Sequence, residues 1–486
     1  MRFLDRAIAA LSPRAGLRRA HARALLSTLE ATAHYRAASI PRRSASVRPV
    51  AGDADAVAGA ARQQITLSVR DVVRNNPLAA RAVQVLVNAI VGTGIEPKLI
   101  SKDDELQGEW KASLLPLLDS TSIDADDRST LAGLQRLMVR AMVIDGEALM
   151  ILPRETGPGG IFQVRVLEAE YLDDRMQGRA ENPANAVYDG IEYGPDGRVV
   201  AYHLYDEHPG SMLWRPDWKG LSSSRVPADR VIHLFRQDRP GQRRGVSWLA
   251  PVLDDLVALA DNDEAQLMRQ KIAACFAAFW RTEKLPEAAG IPGKLAPGLI
   301  QQIGHDDEVS FANPPDVTGY DDFAKIHLRR IASGLGITYE ALTGDLSNVN
   351  FTSGRLGRIE MSQNVEAWQW TCVMPGLCAP MGTWFLRSWA YANPPKIPAI
   401  AAARIGYTPP PPVIADPKNE TQVAVQKIEA GLSSRPAEIR KLGYDPAEID
   451  AEIRRDAEMR RDLAVLRAPS RAAELAAEEK ERELDA

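Results

Sequence analysis

The chain has 486 residues, 45% of them hydrophobic, which is enough apolar surface for a substantial core and enough length for about two to four structural modules. Its 59 basic and 64 acidic side chains leave a formal charge of -5, which excludes the strongly basic footprint of a tight, static nucleic-acid binder. The three cysteines, Cys275, Cys372 and Cys378, match no metal-site spacing, and no apolar run reaches the roughly 20 residues of a membrane span, so a soluble protein of a reducing compartment is expected.

The amino-terminal segment is cationic: ten arginines in the first 50 residues face only Asp5 and Glu30. Arginines interrupt it before a signal-peptide core forms, and it reads as a mobile basic arm. Ordered structure is expected from near residue 65. Arg74 to Val91 places Leu78, Val83, Leu86, Val87 and Ile90 at helical spacing and ends at Gly92-Thr93-Gly94. Leu131 to Ile151 begins as a helix and passes through Gly146 into a strand. Between about 161 and 236, alternating and β-branched runs surround turns such as Pro195-Asp196-Gly197, the pattern of a β-rich module.

From Val246 to Phe279 the pattern returns to helix, with Leu249, Val252, Leu253, Leu256, Leu259, Leu267 and Ile272 supplying an apolar face. A strand-like stretch punctuated by proline and glycine, including Glu308 to Pro315, follows to about 318. A helix from Tyr320 to Gly334, a polar loop, and a long helix from about Ser353 to Trp389 come next, with Pro375 expected to kink or break the last. Beyond Pro409 to Pro412 two short amphipathic helices are expected around Gly431 to Pro436, and then a charged tail.

Catalytic signatures are missing from this sequence. Ala288 and Leu295 stand where a P-loop requires its first glycine and its hydroxyl. Ser247 lacks the second glycine of a nucleophile elbow and reads as a helix N-cap. His203 and His233 sit in strand-like segments and read as structural. Acidic side chains cluster at Asp124, Asp126 and Asp127 and at Asp254, Asp255, Asp261, Asp263 and Glu264. A two-metal nuclease needs such groups converging from separate elements, and nothing identifies a nucleophile, so a solvated or channel-facing stripe sharing the face of Asp254 and Asp261 explains them better.

Three blocks resemble the lambda-type family of bacteriophage portal proteins: Arg74 to Ile95 (RNNPLAARAVQVLVNAIVGTGI), Val231 to Leu253 (VIHLFRQDRPGQRRGVSWLAPVL) and Leu328 to Arg355 (LRRIASGLGITYEALTGDLSNVNFTSGR). The resemblance covers about residues 60 to 455. Ser247, Phe351 and the stretch Ser122 to Thr130 depart from the usual pattern.

The resemblance implies an α+β portal fold in a closed ring of about twelve subunits. Along the chain it implies a basic arm (1–62), a wing of helices and a β-rich module (63–245), a first stem helix (246–279) and a small α/β clip (280–318). A second stem helix (319–342), a tunnel loop (343–353), a long spine helix with wing return (354–412), a helical crown (413–460) and a charged tail (461–486) would follow. Implied partners are double-stranded DNA in transit, the terminase large subunit, major capsid and scaffold proteins and head-completion adaptors, with no membrane, metal, cofactor or catalytic residue. The place of action would be the portal vertex of the virion, after assembly in the bacterial cytoplasm. Asp345, Leu346, Ser347, Asn348, Val349, Asn350 and Phe351 would line the channel, and Asp254 and Asp261 are candidate acidic stem residues facing it. Physics fits a conduit, because each phosphate neutralised by Lys or Arg adds a salt-dependent grip that would brake passage. A metal-dependent nuclease and a head-tail adaptor that conducts no DNA are the competing classes.

Overall fold

The computed structural model describes residues 51–154, 162–211, 221–274, 278–281, 308–311, 320–347, 349–410, 417–442, 444 and 446–467. The chain divides into two units, 1–57 and 58–486. In the first, Asp53 accepts the Ala56 amide at 2.7 Å and opens a helix. That helix, α1 (Ala54–Asn75), begins well before the start expected near residue 65, because the Ala-rich stretch ahead of it favours helix without an apolar period. The basic arm itself, residues 1–50, lies outside the described residues, as does the tail from 468.

The helix expected from Arg74 starts instead at Pro77. Proline disfavours helical backbone in the residue before it, so Asn76 is extended and its side chain accepts the amides of Leu78 (2.9 Å) and Ala79 (3.3 Å). The second helix, α2 (Pro77–Ile90), buries Ala79, Ala82, Val83, Leu86, Val87 and Ile90. A short strand not singled out in the sequence, β1 (Glu96–Ile100), pairs antiparallel with Arg404–Thr408, Glu96 opposite Thr408. Helix α3 (Leu131–Asp145) then follows the predicted pattern and ends at Gly146, whose φ of 93° suits glycine.

Strand β2 (Glu147–Arg154) leaves directly from that glycine and lies centrally between β3 (Gln163–Leu167) and, much later in the chain, Val231–Phe235. A second, five-stranded antiparallel sheet follows in simple order: β4 (Gly178–Arg179), β5 (Ala186–Tyr188), β6 (Ile191–Tyr193), β7 (Val199–Tyr205) and β8 (Ser223–Pro227). The Pro195-Asp196-Gly197 turn joins β6 to β7 as expected, with Gly197 at φ 76°. Strand β9 (Val231–Phe235) returns to the first sheet. Leu149, Leu167, Tyr202, Leu204 and Val231 form a small core, while the main core joins α2, α3 and β2 to helices from later in the chain.

The helix expected over Val246–Phe279 is shorter: α4 spans Leu253–Ala274. Pro251 sits in a 3-10 turn, Ala250–Val252, that sets its start. Phe279 belongs to a strand, β10 (Ala278–Arg281), paired antiparallel with β11 (Glu308–Phe311), where aromatic residues favour the extended backbone. Cys275 and the rest of the strand-like stretch, 282–307 and 312–318, lie outside the described residues.

Helix α5 (Tyr320–Leu335) matches expectation to within a residue, and α6 (Tyr339–Thr343) follows after a tight turn at Gly336. The long helix is continuous through Pro375: α7 (Phe351–Trp368) passes into a π-helical segment, Gln369–Cys378, and on into α8 (Ala379–Ala392). The wider turns absorb the missing proline amide, so of the expected kink or break it is the break that does not occur. Strand β12 (Arg404–Thr408) closes the ladder with β1. Three carboxyl-terminal helices stand where two were expected, α9 (Pro417–Glu429), α10 (Arg435–Lys441) and α11 (Pro446–Arg467), because Gly431 at φ 70° and the Ser434 cap separate the first pair and Leu442 ends the second. Among the described residues no helix is long and apolar enough to cross a membrane.

Candidate functional site

The candidate loop hangs between α6 and α7 and is built almost wholly from its own side chains. Thr338 caps α6 by accepting the Ala341 amide at 3.1 Å, and Gly344 ends it at φ 74°. Asp345 then organises the chain: its carboxylate accepts the Ser347 amide at 3.0 Å, the Ser347 hydroxyl at 2.6 Å and the Tyr339 hydroxyl at 3.1 Å. These donors, Ser347 first, hold the carboxyl below the usual carboxylate range. Asn350 and Ser353 exchange hydrogen bonds in a capping box, with the Ser353 amide donating at 2.8 Å and the Ser353 hydroxyl accepting the Asn350 amide at 3.2 Å. Val349 folds back against Gly354, where a Cβ would meet its methyl at 2.8 Å.

Leu346 is the odd member, a large apolar side chain 67% exposed in an otherwise polar loop. Of the seven predicted residues, Asp345, Leu346, Ser347, Val349 and Asn350 are thus brought into one short element. Asn348 and the Phe351 side chain lie outside the described residues. Asn350 belongs to the helix that follows as its cap rather than to the open loop.

The two stem candidates pack against each other antiparallel. Asp255 of α4 lies 3.2 Å from His327 Nδ1 and 3.2 Å from Arg330 of α5, and the Tyr320 hydroxyl donates to Asp263. Gly334 allows the closest approach, since a Cβ there would stand 2.5 Å from a Val252 methyl. Asp254 and Asp261 take no part in this seam. They are exposed and, with Val257 and Ala258, form one wall of a groove whose other wall is Ser68 and Val72 of α1. The apolar face expected on α4 is buried at Leu249, Val252, Leu256 and Leu259 but exposed at Leu267, and the Ile272 side chain lies outside the described residues.

The other acidic cluster is structural. Asp124 is buried and accepts the amides of Asp126 (3.0 Å), Arg128 (3.2 Å) and Ser129 (3.0 Å), while Asp126 pairs with Arg165 at 2.7 Å. Glu168, Glu170 and His208 stand within reach of one another, but Arg70 already bridges the two carboxylates.

A buried crossing of two chain segments escaped the sequence reading. The chain at Gly245 runs against Gly146 so closely that a Cβ on Gly245 would lie 2.1 Å from the Gly146 carbonyl oxygen, and one on Gly146 would lie 2.3 Å from the Val246 carbonyl carbon. Glu147, buried at the start of β2, accepts Arg244 at 2.8 and 2.9 Å and the Gly245 amide at 3.0 Å, with the His233 ring at 2.8 Å. Burial opposes its ionisation, yet Arg244 and His233 outweigh that and hold the carboxyl well below its ordinary range. Arg70 of α1 grips Asp145 with two bonds of 2.7 and 2.9 Å, and Arg62 donates to the Gly245 carbonyl at 3.3 Å. Ser247 does not cap α4 directly but the turn that leads into it: its hydroxyl accepts the Leu249 amide at 3.2 Å and donates to Val143 O at 3.3 Å inside the same crossing. The signal available in the sequence was Glu147 standing at the head of an otherwise apolar strand.

Comparison with known proteins covers most of the chain. A sequence model described as "Phage portal protein, lambda family" matches residues 41–369. The probable portal protein of Halomonas phage phiHAP-1 is 24% identical over 438 residues, spanning 84% of this chain and 83% of its own length. Portal protein B of Escherichia phage lambda is 24% identical over 473 residues, spanning 83% and 85%. Among solved structures, a chain from the neck of an empty gene transfer agent particle aligns with a TM-score of 0.47 at 16% identity, covering 83% of this chain and 97% of that one. A portal protein of the HK97 family from Corynebacterium diphtheriae aligns with a TM-score of 0.33 at 9% identity, covering 71% and 94%.

Proposed function

The chain belongs to the lambda family of phage portal proteins, and from that premise we propose that about twelve copies close into a ring at one capsid vertex and conduct double-stranded DNA. The terminase large subunit would drive DNA inward through the ring, and head-completion proteins would later seal it. Capsid and scaffold proteins would hold the ring at its vertex, which makes the chain a virion component assembled in the host cytoplasm. The observation that carries the reading is the family match itself, which spans the three sequence blocks as one continuous stretch, 41–369.

Within that ring, α4 and α5 serve as the stem and residues 345–351 as the loop that lines the narrowest part of the channel. Asp254 and Asp261 stand on the passage side of the stem. The loop suits passing contact, since Asp345 and Asn350 are occupied by local donors and the exposed Leu346 offers the phosphates no cation. A loop without Lys or Arg passes along DNA without the counterion release that would hold it. The basic arm and the carboxyl-terminal helices, the crown of this reading, carry no assigned contact.

Mass measurement and electron microscopy of the purified chain test the proposal together. A large particle with a central channel is expected. A stable monomer at every concentration tried would sink it. Deleting Leu346 to Val349 should impair DNA packaging or retention and leave the ring assembled, whereas loss of the ring itself would make the loop a structural element.

A further inference from the structure

Two surfaces of the same chain are complementary and neither is used within it. The first is the groove between α1 and α4. Asp254, Val257, Ala258 and Asp261 follow one another at i, i+3, i+4 and i+7, so they share one helical face, with two carboxylates flanking a small apolar centre. Val257 is 42% exposed there. Among the described residues Asp254 and Asp261 have no hydrogen-bond or ion-pair partner, in contrast to Asp255 and Asp263 on the opposite side of the helix.

The second surface is the first half of α7, just past the candidate loop. Arg355, Arg358 and Ile359 lie at i, i+3 and i+4 with Leu356 beside them. Leu356 is 63% and Ile359 47% exposed, and neither arginine has a partner among the described residues. Two large apolar side chains thus stand in water beside two unpaired guanidinium groups, the mixed composition that a protein partner can cover.

We infer that α7 of one copy seats in the α1–α4 groove of the next, with Arg355 and Arg358 against Asp254 and Asp261 and with Leu356 and Ile359 over Val257 and Ala258. The chemistry points to a second copy because one face is acidic and the other basic, each with apolar side chains beside its charges, and opposite charge selects between partners. They are different faces of one chain, so the contact is heterologous, the kind that propagates around a ring instead of closing as a two-fold dimer. The inference rests on the ring reading above and deepens it: Asp254 and Asp261 would stand at the seam between neighbours on the passage side of the stem, and the candidate loop would be anchored to the adjacent subunit through the helix that follows it.

The test is a charge swap read by native mass spectrometry on the full-length protein. Arg355→Glu with Arg358→Glu should lower the assembled fraction at fixed concentration by about tenfold or more, through like-charge opposition across the seam. Adding Asp254→Arg with Asp261→Arg to that same chain should restore assembly to near the wild-type level. As a check independent of charge, Ala258→Cys with Ile359→Cys should give a ladder of oxidised oligomers from assembled particles. Rings that persist undiminished in the arginine-reversed chain, a swap that does not restore them, or no ladder from intact rings would each overturn the seam. Intact rings that package less DNA would assign the two arginines to the nucleic acid instead. A wild-type chain that never assembles contradicts the ring reading itself, an outcome distinct from all of these.

Discussion

The crossing of Gly146 with Gly245 and the loop from Gly344 to Asn350 both lie within residues 41–369, the stretch matched by the portal family, yet they are built on opposite principles. At the crossing, the partners Glu147 and Arg244 are buried and come from segments far apart in sequence, and two glycines let the backbones touch. In the loop, every hydrogen bond described for Asp345, Ser347 and Asn350 is made to a residue no more than six positions away, and Leu346 is left in solvent. The first arrangement fixes the relative position of α3, β2 and the chain entering α4. The second takes its shape from its own neighbours in sequence. One stretch of family likeness can thus reflect packing, and another a surface that only an assembly would use.

Mutations should separate the two regions sharply. The largest effect belongs to Gly245→Ala: with the Gly146 carbonyl 2.1 Å from the new Cβ, the backbones must part, and a loss of more than about 4 kcal/mol is expected. Soluble yield and the urea midpoint report it, and a midpoint equal to wild type would refute the close crossing. Next comes Arg244→Met, which strands the buried Glu147 charge and should cost about 3–5 kcal/mol. Pairing it with Glu147→Gln should recover much of that loss, and strict additivity of the two would show that the pair is not coupled.

The same carboxylate gives a pH dependence of known sign. Its folded value lies below the ordinary 4.5, so its contribution is present above that pH and fades as the pH falls beneath it. Acid titration followed by circular dichroism should show wild type losing stability below about pH 4.5, with a shallower loss in Glu147→Gln. Equal slopes would contradict the paired state of Glu147. The smallest effect on stability falls in the loop: Asp345→Asn and Leu346→Ser should leave the unfolding midpoint of the chain unchanged, and a marked drop in either would show that the loop is welded into the core.

The sequence made local features legible and hid distant ones, for a physical reason. Helix α3 with its glycine stop, the Pro195–Gly197 turn and helix α5 all follow from periodicity and turn chemistry that act within a few residues. The β1–β12 ladder joins strands at Glu96 and Thr408, and no local pattern announces such a pairing. Pro375 carries a strong local signal for a break, but the chain answers it with π-helical turns supported by the buried Cys372, Val373, Met374 and Leu377. At the candidate site, the loop was readable because its Asp, Ser and Asn act on their own neighbours. The Glu147–Arg244 crossing was not, since a buried ion pair is defined by a partner 97 residues along the chain.

The proposal stands or falls on whether copies of this chain form a channel whose narrowest point is the loop between α6 and α7. An electron-microscopy reconstruction of the purified full-length protein tests it most directly. A closed ring with residues 345–351 of every subunit at the constriction is expected. A monomer, or a ring whose constriction is lined by some other segment, would contradict it.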